Sequence, residues 1–343
     1  MARAPSTAGF DKSSRASEYD IDWQKAADLI KKSGALRVGL QAPEGLKRAL
    51  PAFAARLERE TGAEVIISGD PCFGACDVDM LLSREVDLML HIGHAELDPV
   101  GECAPQNVIF LEAAMGTDLY EIARKAAGSL RAKTVGVCTT IQHVHRIEQA
   151  LFALKELGIT GRTGPAGGRI RYPGQVLGCS YASAKAVDAE EYLFIGTGRF
   201  HPLGIALATG KRVVVADPVS GEVGEIDTDP LLRRRFAAIS RAGQAGRFAV
   251  LVSKKPGQKR LNLACRIKAL GEAAGKEMFM VYLDNIEPDR LLNLGAEAAV
   301  CTACPRVALD DAAKYKIAIL TPPEFEILIG LRRWDDYIFD EIE

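Results

Sequence analysis

The chain has 343 residues, of which 48% are hydrophobic and 26% are charged, and its 43 basic and 45 acidic residues give a formal net charge of −2. A charge this close to zero argues against direct binding of nucleic acid through the overall field of the protein. No apolar run approaches the roughly 20 residues that cross a bilayer, and the first residues lack the apolar centre of a signal peptide. We therefore expect a cytoplasmic protein whose eight cysteines stay reduced.

Helices and short apolar strands alternate after a polar leader, residues 1–19, which we expect to be disordered. Strands are predicted at 35–41, 64–70, 87–94, 107–113, 134–140, 191–198, 212–218, 247–253, 278–283, 298–303 and 317–322. Helices are predicted at 23–32, 46–61, 118–129, 144–157, 231–242, 260–274 and after Pro323. Short, mostly β-branched runs between helices are typical of parallel sheets covered on both faces.

The alternation runs through three cycles, which indicates an α/β protein of three similar Rossmann-like parallel-sheet domains. The predicted domains are residues 20–115 with Cys76, 116–228 with Cys179 and 229–343 with Cys304. Ligands of such sheets collect beyond the carboxyl ends of the strands, where we place all three cysteines. We expect the domains to be arranged around a pseudo-threefold axis, so that the three thiolates converge.

Three converging thiolates would make a particular kind of metal centre. They can hold three irons of a cubane cluster and leave the fourth iron open to a substrate. Cys76, Cys179 and Cys304 are therefore candidate ligands of a 4Fe-4S cluster in an enzyme.

A zinc site is the alternative interpretation of the same region. The pairs Cys72/Cys76 and Cys301/Cys304 have a spacing found in four-thiolate zinc sites. Such sites usually lie in small domains that lack a core, and strand alternation would put Cys301 and Cys304 on opposite faces. Zinc is therefore the less favoured interpretation.

The remaining cysteines carry no predicted chemistry. Cys138 lies inside a predicted strand and Cys265 on the apolar stripe of a predicted helix, and buried cysteine commonly acts as a small hydrophobic residue. Cys103 lies in a predicted loop, and we assign it no role.

The segments around the candidate ligands resemble the archaeal diphthamide-synthesis enzymes, the 2-(3-amino-3-carboxypropyl)histidine synthases. The matching segments are PEGL (43–46), GDPCFGACDVD (69–79), LHIGHAEL (90–97), TTIQHVHR (139–146), PGQVLGCS (173–180), IGTGRFHPLG (195–204) and TACPRVALDD (302–311). They occur in order and cover most of the chain after about residue 20. One departure is Phe73, where the family pattern leads us to expect tyrosine.

The resemblance implies a reaction and its cofactors. Cys76, Cys179 and Cys304 would ligate a 4Fe-4S cluster, whereas Cys72 and Cys301 would not. Reduction of the cluster would cleave the bond between the sulfur and the γ-carbon of S-adenosylmethionine (SAM), in a radical type of chemistry. The 3-amino-3-carboxypropyl group would pass to an imidazole carbon of a histidine in translation elongation factor 2, the first step of diphthamide biosynthesis. The resemblance also implies a homodimer, and the reaction needs an electron donor, which the sequence does not identify.

Several residues are candidates for contacts with SAM. Gly196, Thr197 and Gly198 follow a predicted strand, where bare backbone can approach a ligand, although an ordinary tight turn explains them equally well. His201 opens the next helix and could instead be a capping or surface residue. Arg306 could form a two-pronged ion pair with the SAM carboxylate, or could be a structural arginine.

Other polar groups are interpreted as structural. His91 and His94 flank a glycine after a strand, and we expect neither to be a metal ligand. Asp77 is predicted to cap the following helix. The basic runs at 233–235 and 254–260 are predicted to be solvated faces.

Two other functions stay open. A dehydratase similar to quinolinate synthase would use an open iron as a Lewis acid without SAM. A non-catalytic partner subunit would only bind zinc or another metal.

Overall fold

The computed structural model describes residues 19–97 and 105–342. Residues 1–18 of the leader that we predicted to be disordered therefore lie outside the described residues. Cys103 also lies outside them. Tyr19 belongs to a short strand.

The described residues form short strands and helices in alternation. The strands are β1 (Tyr19–Asp20), β2 (Arg37–Gln41), β3 (Glu64–Ile67), β4 (Leu88–Ile92), β5 (Val108–Leu111), β6 (Ala114–Met115), β7 (Thr134–Thr139), β8 (Thr160–Arg162), β9 (Glu191–Ile195), β10 (Val213–Ala216), β11 (Val223–Glu225), β12 (Arg247–Ser253), β13 (Glu277–Leu283), β14 (Ala298–Cys301) and β15 (Ala318–Leu320). The helices are α1 (Trp23–Ser33), α2 (Glu44–Lys47), α3 (Leu50–Thr61), α4 (Leu82–Glu85), α5 (Tyr120–Ala127), α6 (Ile141–Val144), α7 (Ile147–Glu156), α8 (Ala182–Lys185), α9 (Phe200–Thr209), α10 (Asp229–Ala242), α11 (Leu261–Ala273), α12 (Pro288–Asn293), α13 (Pro305–Leu309) and α14 (Pro322–Leu328).

Three sheets of mainly parallel strands organise the part of the chain that is described. Their strand orders are β3-β2-β4-β5, β8-β7-β9-β10-β11 and β13-β12-β14-β15. In each sheet the first strand along the chain lies between the second and the third, and the fourth follows the third. Within these three sheets of the described residues, β11 alone runs antiparallel to its neighbour, and β1 and β6 form a separate antiparallel pair. The prediction of an α/β protein with repeated parallel sheets is therefore confirmed.

The chain divides into two compact units, which we describe separately. Among the described residues, the first unit comprises 19–96 and 105–116 and holds the first sheet. The second unit comprises 97 and 117–342 and holds the other two sheets.

The strands of the sheets are buried because apolar side chains cover both faces. Every residue of β4 and of β9 is buried, and β12 is buried after Arg247. These runs produced the sequence signal that predicted the strands. The signal is absent from β8, whose residues are Thr160–Arg162 and only partly covered, and the sequence analysis did not predict it.

Helix boundaries follow local chemistry. The predicted helix at 46–61 is two helices, and α3 restarts with Pro51 in its first turn, where the missing amide hydrogen costs nothing. The described residues include no helix that is both long enough and apolar enough to cross a membrane.

The basic run at 233–235 is not a solvated face throughout. Arg235 is 1% exposed. Its Nε and Nη2 donate to the two carboxylate oxygens of Glu324 at 2.7 and 2.6 Å, and Nη1 and Nη2 donate to the carbonyl oxygens of Ala308 and Ile319. The prediction was wrong at Arg235 because its side chain points inward from α10 to the buried carboxylate of Glu324. Glu324 is distant in sequence and is brought to Arg235 by the fold.

Candidate metal centre

In the first unit, Cys76 lies in a loop that follows β3. The loop closes on itself, because the amide of Asp77 donates to the Gly74 carbonyl oxygen at 2.9 Å and the Asp77 carboxylate accepts from the Phe73 amide at 3.1 Å. The Gln41 side chain, at the end of β2, donates to the Asp77 carbonyl oxygen at 2.8 Å. The side chain of Cys76 is partly exposed. The loop is thus fixed to the carboxyl end of the sheet with a thiol at its surface.

Asp79, and not Asp77 as predicted, accepts hydrogen bonds from the backbone amides at the start of α4. We expected Asp77 to cap the following helix, but its side chain turns back to Phe73. Asp79 Oδ1 instead accepts from the amides of Leu81 and Leu82, at 3.2 and 2.9 Å. Asp79 lies two residues further along the chain and is therefore near enough to reach them.

In the second unit, the segment before Cys179 is attached to the end of β7. The Thr139 amide donates to the Gly174 carbonyl oxygen, and the Val176 amide donates to the Thr139 carbonyl oxygen, both at 2.9 Å. Cys179 is partly exposed, and its carbonyl oxygen accepts from the Ile342 amide at 2.8 Å. The carboxyl-terminal segment therefore holds this cysteine loop in place.

Cys304 follows β14 and immediately precedes α13, which begins at Pro305. Arg260 donates through Nε to the carbonyl oxygen of Thr302 at 2.8 Å and through Nη2 to that of Ala303 at 2.9 Å. Cys304 is partly exposed. Its loop is fixed by a guanidinium from the segment before α11, within the basic run at 254–260 that we expected to be solvated.

Burial distinguishes the three candidate ligands from Cys138 and Cys301. Cys76, Cys179 and Cys304 are the partly exposed ones. Cys138 and Cys301 are fully buried, and burial raises the pKa of each thiol to about 12. Both thiols are therefore protonated at pH 7 in the metal-free protein.

Cys265 and Cys72 differ in burial. Cys265, expected on the apolar stripe of its helix, is exposed on α11, so the prediction that it is a core residue was wrong. Cys72 is 3% exposed and lies beside two histidines.

The glycines predicted to approach SAM lie directly after β9. Gly196 is buried, whereas Thr197 and Gly198 are exposed. Gly198 has φ of 80°, a value that side chains with a Cβ rarely adopt. Glycine is thus required for the turn itself, which is consistent with the interpretation of this segment as an ordinary tight turn.

Arg306, Phe200 and Gly178, the residue before Cys179, come together in the second unit. The Arg306 guanidinium carbon lies 4.3 Å from the centre of the Phe200 ring. A Cβ on Gly178 would lie 2.9 Å from Phe200 Cε1 and 3.4 Å from Arg306 Cδ. Arg306 Nε also donates to Asp310 at 2.7 Å, so a ligand carboxylate would have to use its terminal nitrogens.

His201 does not cap α9, and it is only partly exposed. Arg199 occupies the capping position of α9, and the His201 ring stacks on Phe194 with 6.0 Å between ring centres. Burial, and then the positive charge of Arg306, lower the pKa of His201 to about 4. The imidazole is therefore neutral at pH 7.

One group of possible metal ligands in the first unit was not predicted from the sequence. Cys72, His91 and His94 place Sγ and two ring nitrogens within 4.8 Å of one another. The signal was the spacing of two histidines around Gly93, but nothing in the sequence linked them to a cysteine about twenty residues earlier.

Comparison with known proteins identifies the family. The family profile of the diphthamide synthesis proteins matches residues 42–338. A 2-(3-amino-3-carboxypropyl)histidine synthase of Pyrococcus horikoshii is 39% identical over 94% of each chain. The chain belongs to the diphthamide synthesis protein family.

Other family members and a solved structure agree with this assignment. The synthase of Methanocaldococcus jannaschii is 30% identical, with 90% of this chain and 88% of that protein covered. Subunit 1 of the synthase of Gallus gallus is 28% identical, with 93% and 78% covered. A crystal structure of Dph2 from Pyrococcus horikoshii with a 4Fe-4S cluster superimposes with a TM-score of 0.88 at 37% identity over 94% of each chain.

The range matched by the family profile includes every residue that we singled out for the site. Cys76, Cys179 and Cys304 all lie within it, as do the glycine turn at 196–198 and Arg306. The resemblance drawn from short motifs is therefore confirmed over nearly the whole chain.

Proposed function

We propose that the chain is a 2-(3-amino-3-carboxypropyl)histidine synthase. It transfers the 3-amino-3-carboxypropyl group of SAM to an imidazole carbon of a histidine in translation elongation factor 2, the first step of diphthamide biosynthesis. The observation that carries the proposal is the likeness to a relative with a cluster, together with three partly exposed thiols in the predicted positions. Cys76, Cys179 and Cys304 are the partly exposed cysteines of the described residues, and a relative that covers 94% of the chain contains a 4Fe-4S cluster.

Cys76, Cys179 and Cys304 are the proposed ligands of the cluster. Three thiolate donors fit a cubane cluster that keeps one iron open. When bound, the cluster supplies the electron for reductive cleavage of the sulfur–γ-carbon bond of SAM. The protein supplies orientation and protection from water, and the hydrogen bonds that fix each cysteine loop support that role.

The positions of the cysteines along the sheets support three similar domains with one difference. Counted along the chain, Cys76 and Cys179 come after the second strand of their sheets (β3 and β8), whereas Cys304 comes after the third strand of its sheet (β14). We propose the domains 20–115, 116–228 and 229–343, arranged around a pseudo-threefold axis. Each proposed domain contains one of the sheets.

For SAM, the proposed contacts are Gly196, Thr197, Gly198, His201 and Arg306. Arg306 offers a positive charge to the carboxylate of the methionine portion. The neutral His201 adds no repulsion toward the sulfonium cation, because its pKa is about 4. The exposed turn at 197–198 leaves backbone amides accessible beside α9.

The proposal extends to partners and location. The protein substrate is translation elongation factor 2, the enzyme is a cytoplasmic homodimer, and an electron donor reduces the cluster. Relatives that carry the synthase name support the substrate, and the synthase reaction requires the reductant.

The test is anaerobic reconstitution followed by reduction in the presence of SAM and elongation factor 2. We expect release of methylthioadenosine and a mass gain on one histidine of the factor. Cys76→Ala, Cys179→Ala and Cys304→Ala should each abolish the brown cluster absorption and the product, whereas the exposed Cys265→Ser should retain both. Cluster chemistry that proceeds without SAM would favour the dehydratase. A protein that stays colourless and whose bound zinc is lost in Cys301→Ala would favour the four-thiolate zinc site.

A further inference from the structure

The first unit contains a second set of metal-binding side chains, distinct from Cys76. His91 Nε2 lies 3.0 Å from His94 Nδ1 and 3.9 Å from Cys72 Sγ, and the three donor atoms lie within 4.8 Å of one another. Cys72 and His91 are buried, and His94 is partly buried. We propose that Cys72, His91 and His94 form a site for one zinc-type divalent cation.

The backbone brings the two histidines to one side. In a continuing strand, residues three apart would point to opposite faces. Gly93 follows the last residue of β4 with φ of 98°, and a Cβ there would lie 3.1 Å from Pro43 and 3.2 Å from Leu46. Glycine is therefore needed at this turn for both its conformation and the close approach, and the turn directs His94 back towards His91.

The tautomer of His91 is fixed by Gln41. The Gln41 amide is oriented by two backbone groups, since Nε2 donates to the Asp77 carbonyl oxygen at 2.8 Å and Oε1 accepts from the Asp79 amide at 3.1 Å. Oε1 lies 2.9 Å from His91 Nδ1, so Nδ1 carries the hydrogen and donates. Nε2 of His91 then presents its lone pair to Cys72 and His94.

This arrangement is the one that supports a metal-binding histidine. In such a residue, the N–H of the second ring nitrogen donates a hydrogen bond to an acceptor. This bond fixes the orientation of the ring and increases the basicity of the nitrogen that binds the metal. Gln41 is that acceptor for His91.

The donor spacing fits a tetrahedral ion after small movements. Zinc–sulfur and zinc–nitrogen bonds of about 2.3 and 2.0 Å separate the donors by about 3.3 to 3.5 Å. The observed separations of 3.0 and 3.9 Å bracket these values. On binding, the Cys72 thiol loses its proton to solvent, and the His94 hydrogen moves from Nδ1 to Nε2 by exchange. A mixed sulfur and imidazole set suits zinc, and three protein ligands leave one position for water.

The ion would connect two elements that the cluster site depends on. Cys72 lies on the same loop as Cys76, whereas His91 and His94 lie at the end of β4. Gln41 joins both, because it contacts His91 and the segment after Cys76. The proposed role is to hold the Cys76 loop on the sheet, and it does not depend on which reaction the enzyme performs.

The test uses the full chain with Cys76, Cys179 and Cys304 all replaced by alanine, so that no cluster forms. Anaerobic titration with Co²⁺ should give one equivalent bound, with the visible bands of tetrahedral cobalt and a near-ultraviolet sulfur-to-cobalt band. Adding Cys72→Ser should remove the sulfur band and weaken binding at least about tenfold. Gln41→Leu should also weaken binding about tenfold, since it removes the acceptor of His91. Cys265→Ser is the matched control and should change neither spectrum nor affinity.

Two results would overturn the proposal. One is the absence of stoichiometric cobalt binding in the cluster-free parent, which would leave Cys72, His91 and His94 as a hydrogen-bonded network only. The other is an unchanged sulfur-to-cobalt band after Cys72→Ser. Circular dichroism and thermal unfolding without metal show whether each variant is folded. Because the parent lacks the proposed cluster ligands, failure of the proposed synthase activity would not affect this result.

Discussion

Arg260 and Asp340 form a two-pronged ion pair that joins the Cys304 loop to the carboxyl-terminal segment. Nη1 and Nη2 of Arg260 lie 2.8 and 2.6 Å from the two carboxylate oxygens of Asp340, and the side chains are only 15% and 6% exposed. The same guanidinium donates to the carbonyl oxygens of Thr302 and Ala303. Because Ile342 donates to the carbonyl oxygen of Cys179, one short segment connects both cysteine loops of the second unit.

Replacement of Arg260 by methionine should therefore affect stability and cluster content together. It leaves the Asp340 carboxylate buried without its partner, which typically costs about 3 to 5 kcal/mol. We expect a lower urea midpoint and less iron per chain after anaerobic reconstitution. Arg260→Lys keeps the positive charge but cannot form both hydrogen bonds of the guanidinium. Its urea midpoint and iron content should lie between those of the wild type and those of the methionine variant. A methionine variant with the wild-type midpoint would show that the ion pair does not hold the loops.

Gly178 should tolerate no side chain. The added Cβ of Gly178→Ala would lie 2.9 Å from the Phe200 ring, and overpacking of this kind costs about 1 to 3 kcal/mol. The loop that carries Cys179 must move to relieve the contact, so we expect weaker cluster absorption as well as a lower unfolding midpoint.

Gly224→Ala is the matched control for this substitution. Gly224 lies in the same unit, and a Cβ there would meet nothing within 4 Å. The control should keep the wild-type absorption. Equal loss in both variants would contradict the specific role of Gly178.

His201 should make the folded state sensitive to acid. The folded protein holds the pKa of this imidazole at about 4, below its ordinary value of 6.5, so the unfolded chain binds more protons between these values. The free energy of unfolding therefore falls as the pH decreases from about 6.5 to 4, by at most about 3 kcal/mol from this residue.

Urea unfolding of wild type and His201→Gln at pH 7 and pH 5 measures this contribution. The variant should lose less stability on acidification than the wild type, even though other buried histidines remain in both proteins. Identical losses in the two proteins would show that His201 is not held neutral by the fold.

The buried pair of Arg235 and Glu324 should be intolerant of a change to one partner. Glu324→Gln removes the charge that compensates Arg235, and we expect a loss of about 3 to 5 kcal/mol in the free energy of unfolding. The double variant Arg235→Met with Glu324→Leu should be more stable than Glu324→Gln alone, because no charge is then buried. Denaturant unfolding of both variants checks this order, and a Glu324→Gln variant within about 1 kcal/mol of wild type would contradict it.

The sequence alone predicted most strands of the sheets and named Cys76, Cys179 and Cys304 as candidate ligands. Runs such as 191–195 are apolar throughout, because strands of a covered parallel sheet are buried on both faces, and this pattern depends on nothing beyond the run itself. The short motifs around Cys76, Cys179 and Cys304 were sufficient to indicate the family, which the comparison over most of the chain then confirmed.

The tertiary structure alone decided which polar side chains are buried together. Arg235 and Arg260 stand in basic runs that resemble solvated surface, yet each meets a carboxylate that lies about eighty or more residues later in the chain. Cys72 likewise meets His91 only because β4 lies beside the loop that follows β3. A local pattern records how apolar each segment is, but the partner of a buried charge or thiol depends on how distant segments pack.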